Sequence, residues 1–388
     1  MYIIKTSASA SGGEKPGVVR VRRVGGASGR RLAGRGMLTL KESELIGDKT
    51  TEGIVLVTGG AGYIGSQLVR DLLDDGYRVR VIDNLLYGGE PIAHLAGHPR
   101  FELHVGDVRD EIAVEAALRD ADAVVHLGAI VGDPACSLDE DFTLQTNLEA
   151  TQLLIRKAKA HGVRRFVFAS TCSVYGASDG ELDEGSALNP VSLYAHTKIF
   201  SEEALNAAVD DRFAPTILRF ATVYGVSHRP RFDLVVNLLT AKAVTERRIT
   251  IHGGEQWRPF VHVADIARSI ALVLASPVDA VAGQTFNVGA TGENYHLSTI
   301  GDLIAEIVPS AEVVTNPNIQ DRRNYYVNFE KIRGIGFETS HTVRSGIEEV
   351  RDLVALGAIG DYHDPRYNNH RFLSLLDPGR RSLAGSGD

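Results

Sequence analysis

The feature that most constrains this 388-residue chain is the run Gly53-Ile-Val-Leu-Val-Thr-Gly59-Gly-Ala-Gly62-Tyr63-Ile64-Gly65. A short β-branched stretch enters a glycine turn, and Ser66-Gln-Leu-Val-Arg-Asp-Leu-Leu continues from it at helical spacing. Glycines in such a turn let the backbone approach a pyrophosphate, whose charge the following helix N-terminus favours. Tyr77-Arg-Val-Arg-Val-Ile-Asp83 then reads as a second strand ending in a carboxylate. An acid there accepts hydrogen bonds from adenosine ribose hydroxyls and repels a 2′-phosphate. The order strand, glycine turn, helix, strand, Asp therefore points to NAD rather than NADP.

Downstream stand Ala169-Ser-Thr171-Cys172-Ser173-Val-Tyr-Gly176 and Tyr194-Ala-His-Thr-Lys198. A tyrosine and a lysine four apart share one helix face. Taken alone the pair reads as an incidental surface feature; beside a dinucleotide site it reads as chemistry. A free phenol titrates near 10, so service as a base at neutral pH needs a drop of roughly three units, about 4 kcal/mol. Lys198 and a cationic cofactor ring are the groups able to supply it, with Thr171 sharing the substrate hydroxyl proton.

These residues together resemble the extended short-chain dehydrogenase/reductases, in their NAD-dependent nucleotide-sugar epimerase/dehydratase branch. The spacing Gly59-x-x-Gly62-x-x-Gly65 is that family's form of the glycine motif, and the resemblance runs from about residue 53 to about 355. It implies an α/β fold, a Rossmann-type doubly wound parallel sheet with a smaller, discontinuous α+β substrate-binding lobe. It implies an adenine contact at Asp107 and Val108, with Asn84 beside the ribose acid Asp83, and a strand and loop beneath the nicotinamide at Leu127 and Ala129. It further implies a helical Asn147 ordering the active-site backbone and water, and a diphosphate-gripping arginine, Arg258. Arg323 is a second phosphate candidate. Thr222 stands where relatives often carry an Asn that contacts the substrate diphosphate, so Arg229 or Arg231 are candidates to hold it instead. Relatives also commonly dimerise through the helices bearing the counterparts of Asn147 and Tyr194, so a homodimer is expected.

The chemistry so implied is removal of a sugar hydroxyl proton by Tyr194, at C4, with hydride passing to NAD⁺, Lys198 holding the nicotinamide ribose and Thr171 the reacting oxygen. In 4,6-dehydratases of the superfamily the motif Thr is followed by Asp and Glu; here Cys172 and Ser173 stand there. Small, non-acidic residues suit a 4-epimerase acting on a nucleotide-diphosphate sugar. A dehydratase, a 4-dehydrogenase or reductase, and a C5/C3 epimerase using Cys172 are the alternatives. Cys172 is either an acid/base or a small apolar filler, and Cys136 lies on the loop that relatives place at the sugar.

Strand-like runs at 54–58, 79–82, 123–127, 165–170 and 215–220 alternate with helical stretches at 112–119, 142–161 and 194–209. The expected division is an NAD-binding domain over 53–225, with 261–289 returning to it, and a substrate lobe over 226–260 and 290–355. A C-terminal extension, 356–388, ends in a loose tail. The small, basic residues 1–52 read as a flexible tail, as an over-long start with Met37 the initiator, or as a targeting peptide. His126 reads as a strand-end histidine satisfied by backbone, Trp257 as packing, and Glu202-Glu203 as a solvated helix face.

Composition narrows the classes. A net charge of −8 argues against a general nucleic-acid binder. No apolar run approaches the roughly 20 residues needed to span a bilayer, so no membrane partner is expected. Two cysteines make no disulfide framework, no His/Cys cluster has metal spacing, and a cytoplasmic location is the economical one.

Overall fold

The computed structural model describes residues 53–318 and 323–376. The readings of residues 1–52, and of the last dozen residues as a tail, lie outside the described residues. Seven parallel strands form the central sheet: β1 (Ile54–Thr58), β2 (Arg78–Asp83), β3 (Phe101–Val105), β4 (Ala121–His126), β5 (Arg165–Thr171), β6 (Ala214–Phe220) and β7 (Thr285–Val288). Their order is β7-β6-β5-β4-β1-β2-β3. The direction of strand addition reverses between β1 and β4, which opens a crevice at their carboxyl ends.

The two-residue period of β1 explains why both faces are covered. Val55 and Val57 pack with Leu68 and Leu72 of α1 (Tyr63–Asp74) and with Ile266 and Ile270 from further along the chain. Leu56, between them, points the other way, toward Val124, Phe166, Phe168 and Leu154. Each such side chain contributes about 1.5–3 kcal/mol by leaving water. β3 has no counterpart among the expected strands, because it is an edge strand whose residues are mostly exposed and carry no buried apolar face.

Further helices are α2 (Glu111–Leu118), α3 (Ala150–Ala160), α4 (Leu193–Ala208), α5 (Val235–Glu246), α6 (Val263–Ala275), α7 (Leu297–Ile307), α8 (Val343–Ala355) and α9 (Asn369–Leu375). The helix expected across 142–161 is three pieces: Glu140–Leu144, a π-helical turn at Gln145–Glu149, and α3. Away from the large sheet, Trp257–His262 pairs parallel with Thr222–Tyr224 and antiparallel with Asn294–His296. A parallel pair joins Arg248–His252 to Glu312–Asn316. Val236, Ile249, Ile251, Ile300, Ile304 and Ile347 make a separate core there. Gly346 lets α8 lie against the Tyr224 ring, since a Cβ would stand 2.3 Å from it. The described part of the C-terminal extension packs on the main body: Leu373 of α9 is buried with Ile130, Cys136 and Phe142.

Candidate active site

A cavity of about 680 Å³ runs along the carboxyl ends of the strands. At one end lies the glycine turn. Gly59 has φ +70°, and a Cβ on it would stand 2.8 Å from Gly128; a Cβ on Gly65 would stand 2.2 Å from the Gly59 carbonyl. Gly62 caps α1 and has no side chain to cover the first-turn amides of Tyr63, Ile64 and Gly65, residues that line the cavity. Asp83 accepts from the Ala61 and Leu85 amides, each at 2.9 Å, which ties the end of β2 to the glycine turn. This is a backbone cradle that side chains would fill, followed by a carboxylate, and it fits a dinucleotide. Tyr63, Ile64 and Asn84 also line it.

Asp107 and Val108 lie at the same end. Arg109 holds the Asp107 carboxylate through two parallel bonds of 2.9 and 2.8 Å. Leu127 and Ala129 line the floor after β4.

That floor is held by a buried chain of hydroxyls. His126 is satisfied by side chains, not by backbone as expected: Nδ1 meets Thr58 Oγ1 at 2.7 Å and Nε2 meets Thr151 Oγ1 at 2.9 Å. Thr151 spends its proton on the Asn147 carbonyl, so His126 Nε2 must be the donor and Nδ1 the acceptor. Thr58 Oγ1 in turn accepts from the Gly128 amide at 3.0 Å. Burial, then the charge on Lys198, lowers the imidazole pKa to about 3, so the ring is neutral. Asn147 does not line the cavity. Its amide clamps Ile130, accepting from the backbone N–H at 2.7 Å and donating to the carbonyl at 2.9 Å. The π-helical turn frees its own carbonyl for Thr151 and Ser201.

The reactive pair stands on α4, which starts at Ser192, whose hydroxyl accepts from the Ala195 amide. Lys198 Nζ donates to the Ala169 carbonyl at 2.8 Å and lies 5.8 Å from the Tyr194 ring centroid. Burial lowers its pKa to about 8. Burial raises that of the Tyr194 phenol, as do Cys136 and Asp133, while the charge of Arg231 and the nearby Thr171 hydroxyl lower it. The protein's own groups therefore leave Tyr194 protonated, and the drop expected from Lys198 needs further positive charge beside the ring.

Ser173, Thr222, Arg231, Arg258 and Arg323 also line the cavity. Arg258 is buried over Tyr325 and donates to the carbonyls of Trp257 and Arg323 at 2.7 and 2.5 Å. Arg323 pairs with Asp133 at 3.4 Å, and Arg231 is gripped by Asp233 through two 2.9 Å bonds.

Three further expectations are corrected. Cys172 is buried and points away from the cavity, its thiol on the Arg219 carbonyl at 3.3 Å; burial raises its pKa, removing it as an acid or base. Cys136 is likewise turned inward onto the Ile130 carbonyl at 3.4 Å and pushed up to about 12, chiefly by burial, so its neighbours Asp133, Pro134 and Ala135 face the cavity in its place. Glu202 is 3 % exposed and pairs with Arg219 at 2.6 Å while accepting from Ser170; its burial requires a partner on β6, which local spacing does not reveal. Sequence reasoning also missed Asn369 of α9, which lines the cavity from outside every motif.

Comparison with known proteins agrees with this geometry. Residues 55–289 match the model of the NAD dependent epimerase/dehydratase family. The chain is 32% identical over 268 residues to the uncharacterized UDP-glucose epimerase YtcB of Bacillus subtilis, covering 65% of this chain and 81% of that protein. It is 30% identical to a dTDP-glucose 4,6-dehydratase of an Actinoplanes species, covering 76% and 95%. Among solved structures, UDP-glucuronic acid 4-epimerase from Bacillus cereus, with UDP-glucuronic acid and NAD, superposes with a TM-score of 0.69 at 26% identity, covering 78% and 99%. The dTDP-glucose 4,6-dehydratase DesIV of Streptomyces venezuelae, with NAD bound, does so at 0.70 and 29%, covering 81% and 99%. With its glycine cradle, ribose acid and Tyr194/Lys198 pair on one cavity, the chain belongs to the NAD-dependent epimerase/dehydratase family of extended short-chain dehydrogenase/reductases.

Proposed function

We propose that this protein is a nucleotide-sugar 4-epimerase that recycles its own hydride, acting as a cytoplasmic homodimer. The observation that carries the reading is the wall beside Thr171. Of the two residues that follow it, Cys172 is turned into the core and Ser173 faces the cavity. A serine hydroxyl has no pKa suited to removing a C5 proton, so this strand end supports oxidation at C4 without elimination.

The residues divide the work as follows. Tyr194 takes the proton of the sugar 4-hydroxyl, and Thr171, whose hydroxyl stands beside the phenol, holds the same oxygen. Lys198, anchored on Ala169, contributes fixed positive charge on the phenol's helix face. When bound, the nicotinamide supplies further positive charge and takes up and returns the hydride. Asn147, by fixing Ile130, keeps the floor of the site from shifting while the 4-keto sugar turns over. Arg258 and Arg323 are the groups to hold the substrate diphosphate. Phe200, exposed on α4, supports an association face on that helix; light scattering at twice the chain mass is the expected result.

One observation favours a second reading, 4,6-dehydration. The Asp133 carboxylate is near enough to Tyr194 to raise its pKa, and it could serve an elimination if Arg323 released it. Incubation with UDP-, GDP-, dTDP-, CDP- and ADP-hexoses without added NAD, followed by ion-exchange chromatography, separates the two. An equilibrium mixture of two isomeric sugars supports epimerisation, whereas one-way conversion to a 4-keto-6-deoxy sugar overturns it.

A further inference from the structure

The mechanism uses neither Arg229 nor α9, yet both stand on the cavity wall. Arg229 is 6 % exposed, and its guanidinium lies 3.9 Å from the centre of the Tyr87 ring. Nη2 donates to a neutral group, Asn369 Oδ1, at 2.7 Å, and Nε finds no acceptor among the described residues. Tyr87 Oη, on the same wall, is also without a partner there. The neighbouring Arg231 takes both oxygens of Asp233. Burial and Arg231 lower the Arg229 pKa to about 10, so it remains a cation at neutral pH. Asp233 and Asp83 act on this cation through space, but no carboxylate hydrogen-bonds it, and a buried guanidinium bonded only to a neutral amide gains from an anion in direct contact.

The position of Arg229 says which anion. The segment 225–233 lies on the dinucleotide half of the cavity. The Gly225 carbonyl accepts from Tyr63 Oη at 2.7 Å, His228 meets Arg70 of α1 at 3.2 Å, and Arg231 lies 6.0 Å from the Tyr63 ring. Arg229 itself feels the charge of Asp83. Tyr63 opens α1 directly after the glycine turn, and Asp83 ends β2. Arg258 and Arg323, by contrast, gather with Tyr325 and Asp133.

α9 holds this arrangement closed. Asn369 is 3 % exposed and joins three parts of the wall: Arg229, the Val131 carbonyl at 3.1 Å through Nδ2, and Asp233 at 3.1 Å through its amide. Phe372 packs on Tyr87 with ring centroids 5.1 Å apart.

We propose that Arg229 clamps the cofactor diphosphate from the side opposite the glycine-turn amides, and that α9, through Asn369, bolts this clamp so that NAD is a resident group. The inference rests on the family's NAD dependence and is independent of the choice between epimerisation and dehydration.

The test uses full-length protein, as parent, Arg229→Gln and Asn369→Ala. NAD released from each purified sample is quantified, its dissociation rate is followed by exchange with labelled NAD, and UDP and dTDP binding is measured calorimetrically. Both variants are expected to lose NAD about 10- to 100-fold faster, the scale of one charge-assisted hydrogen bond, with UDP and dTDP affinity unchanged. NAD-stripped Arg229→Gln is expected to melt no lower than stripped parent, because it loses a buried cation. Parent-like NAD retention in both variants overturns the proposal. So does weakened UDP or dTDP binding with NAD retained, which would assign Arg229 to the substrate diphosphate. If Arg229→Gln fails to fold, Asn369→Ala alone decides.

Discussion

Glu202 on α4 and Arg219 on β6 meet fork to fork, Nη2 to Oε2 at 2.6 Å and Nε to Oε1 at 3.1 Å, in the core beneath the end of β5. Glu202 Oε1 also accepts from Ser170, the residue before Thr171, and Arg219 Nη1 reaches Tyr175 Oη at 3.0 Å. One buried pair therefore ties the helix carrying Tyr194 to the strand end carrying Thr171.

Removing one member leaves a buried charge unpaired. Glu202→Ala is expected to lower stability by about 3–5 kcal/mol, read from urea unfolding. Glu202→Gln keeps the shape and some hydrogen bonds, so it is expected to cost less while still lowering kcat. Equal, small losses in both would contradict the positioning role.

His126 makes stability depend on pH. Its folded pKa, about 3, lies below the unfolded value near 6.5, so the unfolded chain binds the extra proton. The contribution is complete above pH 6.5 and is lost progressively as pH falls toward 3, reaching about 1.4 kcal/mol at pH 5.5. Parent and His126→Asn compared at pH 7 and 5.5 isolate this from the carboxylates: the parent should lose about 1.3 kcal/mol more over that interval. An identical loss in both would mean the ring is charged in the fold.

Cys172 is expected to be chemically silent. In the folded protein it should resist iodoacetamide, and Cys172→Ala should keep kcat/KM near the parent value while losing about 1 kcal/mol of stability. A large fall in kcat with stability intact would return the thiol to the chemistry.

Arg258 tests the diphosphate assignment. Arg258→Lys keeps the charge but loses the planar fork, so the KM for the nucleotide sugar should rise about tenfold or more with kcat little changed. A fall in kcat alone would place Arg258 nearer the reacting carbon.

What could be read from the chain and what could not follow physical lines. The glycine turn, Asp83 and the Tyr194/Lys198 pair are local patterns, and local backbone geometry produces them. β3 was illegible because its residues bury no apolar face. The π-helical turn at 145–149 has ordinary helical residues and follows from Asn147 reaching across to Ile130. Burial of Glu202 depends on Arg219, and the place of Asn369 on Arg229, Asp233 and Val131. No spacing rule joins such distant positions. The sequence leaves Cys172 open between acid/base and filler because the alternation of a strand end cannot be continued into the short 3₁₀ turn, Cys172–Tyr175, that follows it.

The central claim is reversible oxidation at C4 with no proton exchange at carbon. The most direct test is mass spectrometry of the sugar product formed in deuterated water, with no NAD added. The account predicts a product of unchanged mass, altered chromatographic retention and no deuterium on carbon. Loss of water, read as 18 mass units or as 17 where solvent deuterium enters at C5, or deuterium at C5 or C3 without that loss, would contradict it and turn attention to Asp133 as the acid or base.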